Sequence, residues 1–286
     1  MSHVSRRGFL GGAMGAAAAG YLSRGALELS ADPLGMPIGC QSWIVRDALA
    51  KDLPGTLKQL AGVGFRTLEM CSPPGYATSG FGPLAKMKAA EIRQAIQTAG
   101  LRCESSHFQF RELRESLDDR IAWSKEMGLT QMVLSTFGLP NNAPMADWMR
   151  AADELNKIGE QTQKAGIQLG FHNHNFEFRT IDGVLVYDKL MGQLDAKLVK
   201  MQFQVGVISQ GYEAATYLTK YPGRFLSLHL ADWSATEKKP VAIGKGVVDW
   251  VKLFAAARTG GVKNYFVEMD LDLMKASIPY LHELKA

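Results

Sequence analysis

The chain has 286 residues, 47% of them hydrophobic and 21% charged, with a formal net charge of +4. That hydrophobic fraction excludes a disordered chain, and 29 glycines with 11 prolines is ordinary usage. Half of the positive excess lies in residues 1–31, where Arg6, Arg7 and Arg24 face only Glu28. The nearly neutral body that remains argues against nucleic acid or an anionic membrane surface as a partner.

The first segment reads as an address. Ser5-Arg6-Arg7-Gly8-Phe9-Leu10 precedes a small apolar run from Gly11 to Gly20. Twin arginines before a weakly hydrophobic stretch look like a twin-arginine export signal. The run is too short and too rich in Gly and Ala for a membrane span, which needs about 20 strongly apolar residues, so no stable membrane insertion is expected. Ala16-Ala17-Ala18 and Leu29-Ser30-Ala31 are small-residue cleavage candidates. The expected division is an export segment over 1–31 and a single catalytic domain over 32–286, working in the periplasm. Cys40, Cys71 and Cys103 are odd in number and lack CxxC spacing, so buried free thiols are expected rather than a disulfide framework.

From residue 37 the chain alternates short apolar runs with helical patterns. The runs read as buried parallel strands over 37–42, 65–71, 102–107, 130–135, 167–174, 198–204, 224–230 and 263–269. Between them, residues 88–99 carry Ile92, Ala95 and Ile96 on one face, with Gly100 as a stop. Gly64, Gly128, Gly166, Gly223 and Gly261 stand at comparable places before later strands. A repeat of about 30 residues is one βα unit, and eight such units in about 250 residues predict a (β/α)8 TIM barrel. A doubly wound sheet would show a Gly-rich turn after the first strand, and Gln41-Ser42-Trp43 is not one.

In a parallel barrel every second strand residue faces inward, and chemistry gathers at the C-terminal strand ends. This parity aims Thr67, Glu69 and Cys71 inward from the second strand and Cys103, Ser105 and His107 from the third. It aims His172 and His174 inward from the fifth, Gln202 and Gln204 from the sixth, Ser227 and His229 from the seventh, and Glu268 from the eighth. Unpaired, such groups are costly to bury, and a divalent cation is the simplest common partner. Imidazole, carboxylate and amide oxygen together suit Mn, Zn, Co or Mg without choosing among them. Trp43, Phe108 and Trp233 follow strand ends, where a flat ring either packs on a sugar or anchors a loop.

These residues carry a resemblance. His172-Asn173-His174-Asn175-Phe176-Glu177-Phe178, His229-Leu230-Ala231-Asp232-Trp233, Ile243 to Trp250 and Tyr265-Phe266-Val267-Glu268-Met269-Asp270 recur in that order. Together they resemble the sugar phosphate isomerase/epimerase group of xylose isomerase-like barrels, which includes D-tagatose 3-epimerases and inosose dehydratases. Gly39-Cys40-Gln41-Ser42 and Ser105-Ser106-His107-Phe108 fit as well. The resemblance implies one divalent metal held by His172, Gln204, His229 and Glu268. Two positions depart from the pattern: His172 stands where the epimerases have glutamate, and Gln204 where aspartate is usual. Both changes remove negative charge.

The resemblance further implies a sugar isomerase or epimerase that abstracts a proton next to a carbonyl and passes through an enediolate. Loss of a β-substituent from the same intermediate gives a lyase or dehydratase acting on keto-sugars. Glu268 is the expected ligand and base, Glu177 or Glu69 the second acid/base, and His107 and His174 the groups that orient hydroxyls or carry protons. The expected partner is a small carbohydrate, and homodimers are common among such barrels. A non-catalytic sugar-binding barrel is a rival reading. An endonuclease IV-like three-zinc enzyme is another, but Val205-Gly206-Val207-Ile208 offers none of the extra ligands it needs. Lys238, Lys239 and Lys245 read as a solvated charged loop.

Overall fold

The structure is a computed structural model that describes residues 32–284. The twin-arginine segment lies outside the described residues.

Eight strands form the expected barrel: β1 (Gly39–Gln41), β2 (Thr67–Cys71), β3 (Arg102–Phe108), β4 (Gln131–Leu134), β5 (Gln168–His172), β6 (Val199–Gln204), β7 (Phe225–Leu230) and β8 (Asn264–Val267). Every neighbouring pair is parallel, and β1 lies between β2 and β8, which closes the sheet. A helix follows each strand; the principal ones are Leu53–Val63, Ala89–Thr98, Leu117–Met127, Met145–Lys164, Val186–Gln193, Ala214–Lys220, Trp250–Gly260 and Leu271–Glu283. In the helix read from residues 88–99, Ala89, Ile92 and Ile96 are the buried positions, as the 3.6-residue period requires. Gly128 ends the helix before β4 in a left-handed conformation, with φ 77°, and Gly261 does the same before β8, with φ 86°.

Two layers share the apolar residues. Leu68 and Met70 of β2, and Leu228 and Leu230 of β7, are fully buried in the hydrophobic core on the helix side of the sheet. Inside the barrel, glycine makes room for larger neighbours. A Cβ on Gly39 would lie 2.6 Å from the Phe266 ring and 2.7 Å from the Tyr265 carbonyl oxygen. The register then places polar residues side by side toward the C-terminal strand ends. Gln41 is opposite Glu69, Glu69 opposite Ser105, His172 opposite Gln202, and Gln204 opposite His229.

Two antiparallel ribbons interrupt the repeat, Thr180–Ile181 with Val184–Leu185 and Asp232–Ser234 with Lys239–Val241. The strand read over 167–174 ends earlier, at His172, because Glu177 Oε2 takes the His174 backbone N–H at 2.7 Å and turns the chain into a single 3-10 turn over Asn175–Phe178. Cys40, Cys71 and Cys103 are free thiols, the first two buried. Burial pushes all three up, Cys103 to about 12, so they stay protonated and packed. Among the described residues no helix is long and apolar enough to cross a membrane.

Candidate active site

Glu69 is the hub of the barrel interior and is wholly buried. Its Oε1 accepts from Ser105 Oγ at 2.5 Å and from Gln202 Nε2 at 2.9 Å. Its Oε2 accepts from Gln41 Nε2 at 2.6 Å and His229 Nε2 at 2.6 Å, with His107 Nε2 at 3.2 Å. A buried carboxylate loses several kcal/mol of hydration, which only a full set of donors repays. Here the donors win: burial alone would raise the Glu69 pKa, yet His107 and His229 hold it well below the usual carboxylate value. The sequence offers Glu69, or Glu177, as the second acid/base, and in the structure the lone pairs of Glu69 face five side chains.

Above Glu69, toward the strand ends, His229 is gripped from both sides. Its Nδ1 lies 2.9 Å from Glu268 Oε2, opposite the contact of Nε2 with Glu69. Both partners are acceptors, so the ring carries two protons. Burial opposes that charge, but Glu268 and Glu69 together raise the ring to about 10. Glu268 keeps a partly exposed side chain and is held below its usual value by His229 against the opposing effect of burial.

His172 packs its ring 4.4 Å from His229 and 5.0 Å from His107, measured between centroids. It is 1% exposed, and its Nδ1 has no hydrogen-bond partner among the described residues. Burial, followed by the neighbouring histidines, holds it well below the usual imidazole value, so it is neutral. His174 lies against it, edge to face at 4.8 Å, and burial lowers it to about 4. Glu177 is fully buried and pushed up to about 8 by burial, with the His174 N–H opposing. At neutral pH it is a carboxylic acid that fixes the turn carrying His174.

The strand parity therefore brings His107, His172, His229, Glu268 and Gln204 together. Gln204 differs from the expected ligand in orientation. Its amide NH₂ donates to Glu268 Oε2 at 2.7 Å, while its oxygen accepts the Gly206 N–H at 3.2 Å. The atom that would bind a cation is turned to the backbone, and the residue steers Glu268. One ring nitrogen each from buried His107, His172 and His229 lies within 4.8 Å of the others, a spacing suited to a shared ion.

Gln41, Ser105 and Gln202 complete the donor set of Glu69, and the sequence alone assigns them no role. Parity had aimed Ser105 and Gln202 inward, but only the register shows that both reach Glu69. The aromatic residues also separate. Phe108 is fully buried and packs edge-on against Trp123, away from the site. Trp43 is held by Arg46 at 4.3 Å and by the edge of Tyr76, as a loop anchor.

Residues 57–278 match the family described as the xylose isomerase-like TIM barrel. An inosose dehydratase of Bacillus cereus (strain AH820) is 25% identical over 198 residues, which cover 62% of this chain and 65% of that protein. The chain spans less than two thirds of the length of the curated relatives it matches. A sugar phosphate isomerase/epimerase from Parabacteroides distasonis ATCC 8503 superposes with a TM-score of 0.71 at 23% identity, over 86% of this chain and 93% of that one. The IOLI protein, solved with a bound zinc atom, gives 0.61 at 12% identity over 87% and 94%. At these identities the two structures speak for the fold alone. With a closed barrel of eight parallel strands and a match over most of its length, the chain belongs to the xylose isomerase-like TIM barrel family.

Proposed function

We propose that the chain is a divalent-metal-dependent enzyme that removes a proton next to the carbonyl of a small carbohydrate. The observation that carries this reading is the meeting of His172, His229 and Glu268 at the C-terminal strand ends, with His172 Nδ1 buried and without a hydrogen-bond partner among the described residues. An unpaired buried polar atom costs about 1–3 kcal/mol, and a cation shared with His229 and Glu268 removes that cost. These three residues would hold the ion, His229 giving up its Nδ1 proton and Glu268 its contact with that nitrogen to do so. Once bound, a divalent ion polarises the substrate carbonyl and acidifies the neighbouring C–H.

The chain's own residues supply the rest. Glu268 is ionised at neutral pH and aimed by Gln204, so it takes the proton. Neutral His174, half-buried beside His172, orients a hydroxyl and passes a proton. Glu69 lies too deep to touch substrate and positions His229 through Nε2.

Return of the proton to a neighbouring carbon gives the isomerase or epimerase outcome. Expulsion of a β-hydroxyl gives the dehydratase outcome, and one observation favours it. Of the three site carboxylates, Glu69 is saturated and Glu177 is neutral and sealed, which leaves Glu268 without the opposed second base of an epimerisation. The similarity to inosose dehydratases points the same way.

Incubation in D₂O with a panel of sugars and keto-sugars tests the reading. Deuterium is expected at the carbon next to the carbonyl, with loss of water where a β-hydroxyl can leave, and EDTA should abolish both. No exchange at any carbon in metal-replete protein, with sugar binding unaffected by EDTA, would replace the enzyme by a binding barrel. We also propose that residues 1–31 direct export to the periplasm, on the strength of Arg6-Arg7 and the small apolar run after them.

A further inference from the structure

His107 is the penultimate residue of β3, beside the proposed ion ligands, and its hydrogen bonds fix its tautomer. Its Nε2 lies 2.6 Å from Gln202 Oε1 and 3.2 Å from Glu69 Oε2. Gln202 turns its NH₂ to Glu69 Oε1 and Ser227 Oγ, so the oxygen facing His107 is the amide carbonyl, which only accepts. Nε2 therefore carries a proton, and Nδ1 is the nitrogen of His107 left to face a ligand. Glu69 Oε2 receives Nε2 of His229 in the same way. The two rings stack with planes 9° apart and centroids 5.0 Å apart. One buried carboxylate thus orients two imidazoles together, as carboxylates behind metal-binding histidines do.

His172 completes the group as the third buried ring, its Nδ1 without a hydrogen-bond partner among the described residues. The ring nitrogens lie within 4.8 Å of one another, and nitrogen–zinc bonds of about 2.0–2.1 Å close that spacing by small ring rotations that break no hydrogen bond at His172 Nδ1. Gln204 offers no competing oxygen, since it is bonded to Gly206.

We propose that His107 is a metal ligand, and that His107, His172 and His229 form a three-imidazole centre that selects a borderline transition ion such as Zn²⁺ or Co²⁺ over Mg²⁺. The proposal rests on the reading above that the site holds a divalent ion. Three imidazole rings, with Glu69 behind two of them and Glu268 as the one carboxylate toward the strand ends, suit imidazole-seeking ions, His229 exchanging its Nδ1 proton for the ion. Mg²⁺ prefers an octahedron of oxygens.

The test titrates chelator-treated full-length protein with Zn²⁺, Co²⁺ and Mg²⁺ by calorimetry and follows the Co²⁺ visible absorption. Wild type should bind Zn²⁺ tightly, show the intense Co²⁺ bands of a low-coordinate site, and release neither ion to excess Mg²⁺. His107→Gln should lose Zn²⁺ affinity by more than the roughly 10–100-fold expected of a positioning residue, with an altered Co²⁺ spectrum. A loss within that range, or none, overturns the assignment of His107 while leaving the metal reading intact. Displacement by Mg²⁺ overturns the selectivity. No binding of any of the three ions by wild type overturns the metal reading itself. Should the variant not fold, ¹⁵N-histidine spectra of wild type decide the matter: Zn²⁺ should shift ring nitrogens of three histidines, including His107, and an unmoved His107 refutes the proposal.

Discussion

At the scale of single residues, Glu69 and Glu177 are both fully buried carboxyl groups, yet their surroundings drive them to opposite protonation states. Glu69 has five donors and stays charged, while Glu177 accepts the His174 N–H through Oε2 and leaves Oε1 without a hydrogen-bond partner among the described residues. The sign of the resulting pH dependence follows from the raised Glu177 value. The unfolded chain releases this proton near the usual 4.5, whereas the folded protein holds it to about 8. Stability associated with Glu177 is therefore complete below about pH 4.5, declines as pH rises, and levels off above about pH 8, by up to about 5 kcal/mol. Glu177→Gln keeps an acceptor for the His174 N–H and cannot ionise. Thermal melts across this window should show a steeper decline for wild type than for the variant, and parallel curves would show that Glu177 ionises freely in the fold.

At the scale of elements, the loop after β7 explains why His229-Leu230-Ala231-Asp232 is followed by Ile243-Gly244-Lys245-Gly246. Asp232 is buried and ties the loop to itself. Its Oδ2 accepts from Gly244 N, Gly246 N and Trp250 Nε1 at 3.0, 3.1 and 2.9 Å, and Oδ1 accepts from Val248 N at 3.2 Å. This carboxylate anchors the segment that leads from β7 into helix Trp250–Gly260, so the motif shapes the rim of the barrel beside His229. A Cβ on Gly246 would lie 2.1 Å from Asp232 Oδ1 and 2.5 Å from the Trp233 carbonyl oxygen, a clash that backbone movement must relieve. Gly246→Ala should cost roughly 1–3 kcal/mol and speed proteolysis within 232–250 while the barrel remains folded. Unchanged cleavage would show that the loop absorbs the methyl group elsewhere. The early end of β5 has an equally local cause. Glu177 captures the N–H of His174, so the strand stops two residues short of the end of the apolar run over 167–174.

At the scale of the whole molecule, the export proposed for residues 1–31 is tested through Arg6 and Arg7. Replacing Arg6 and Arg7 by lysine keeps the charge and removes the twin-arginine pattern. Cell fractionation should find the wild-type chain in the periplasm and the Arg6→Lys, Arg7→Lys variant retained in the cytoplasm. Equal distribution of the two would dismiss the export reading of residues 1–31.

The barrel was legible in the sequence because its causes are local. Alternation with period two, helical faces with period 3.6 and glycines able to take φ near +80° each act within a few residues, and their repetition eight times leaves little choice of architecture. The same parity placed His107, His172, His229 and Glu268 at one end of one interior. Which of them touch, and through which atoms, was decided by tertiary structure alone. Glu69 joins Gln41, Ser105, Gln202 and His229 across separations of 28, 36, 133 and 160 residues, distances over which no local pattern carries information. Gln204 shows the same limit at close range: parity aimed it inward correctly, but the turn after β6 claimed its oxygen and left its NH₂ for Glu268. Sequence periodicity sets the face a side chain occupies. The closure of the barrel sets its partners, because hydrogen bonds over 2.6–3.2 Å depend on strand register and rotamer together.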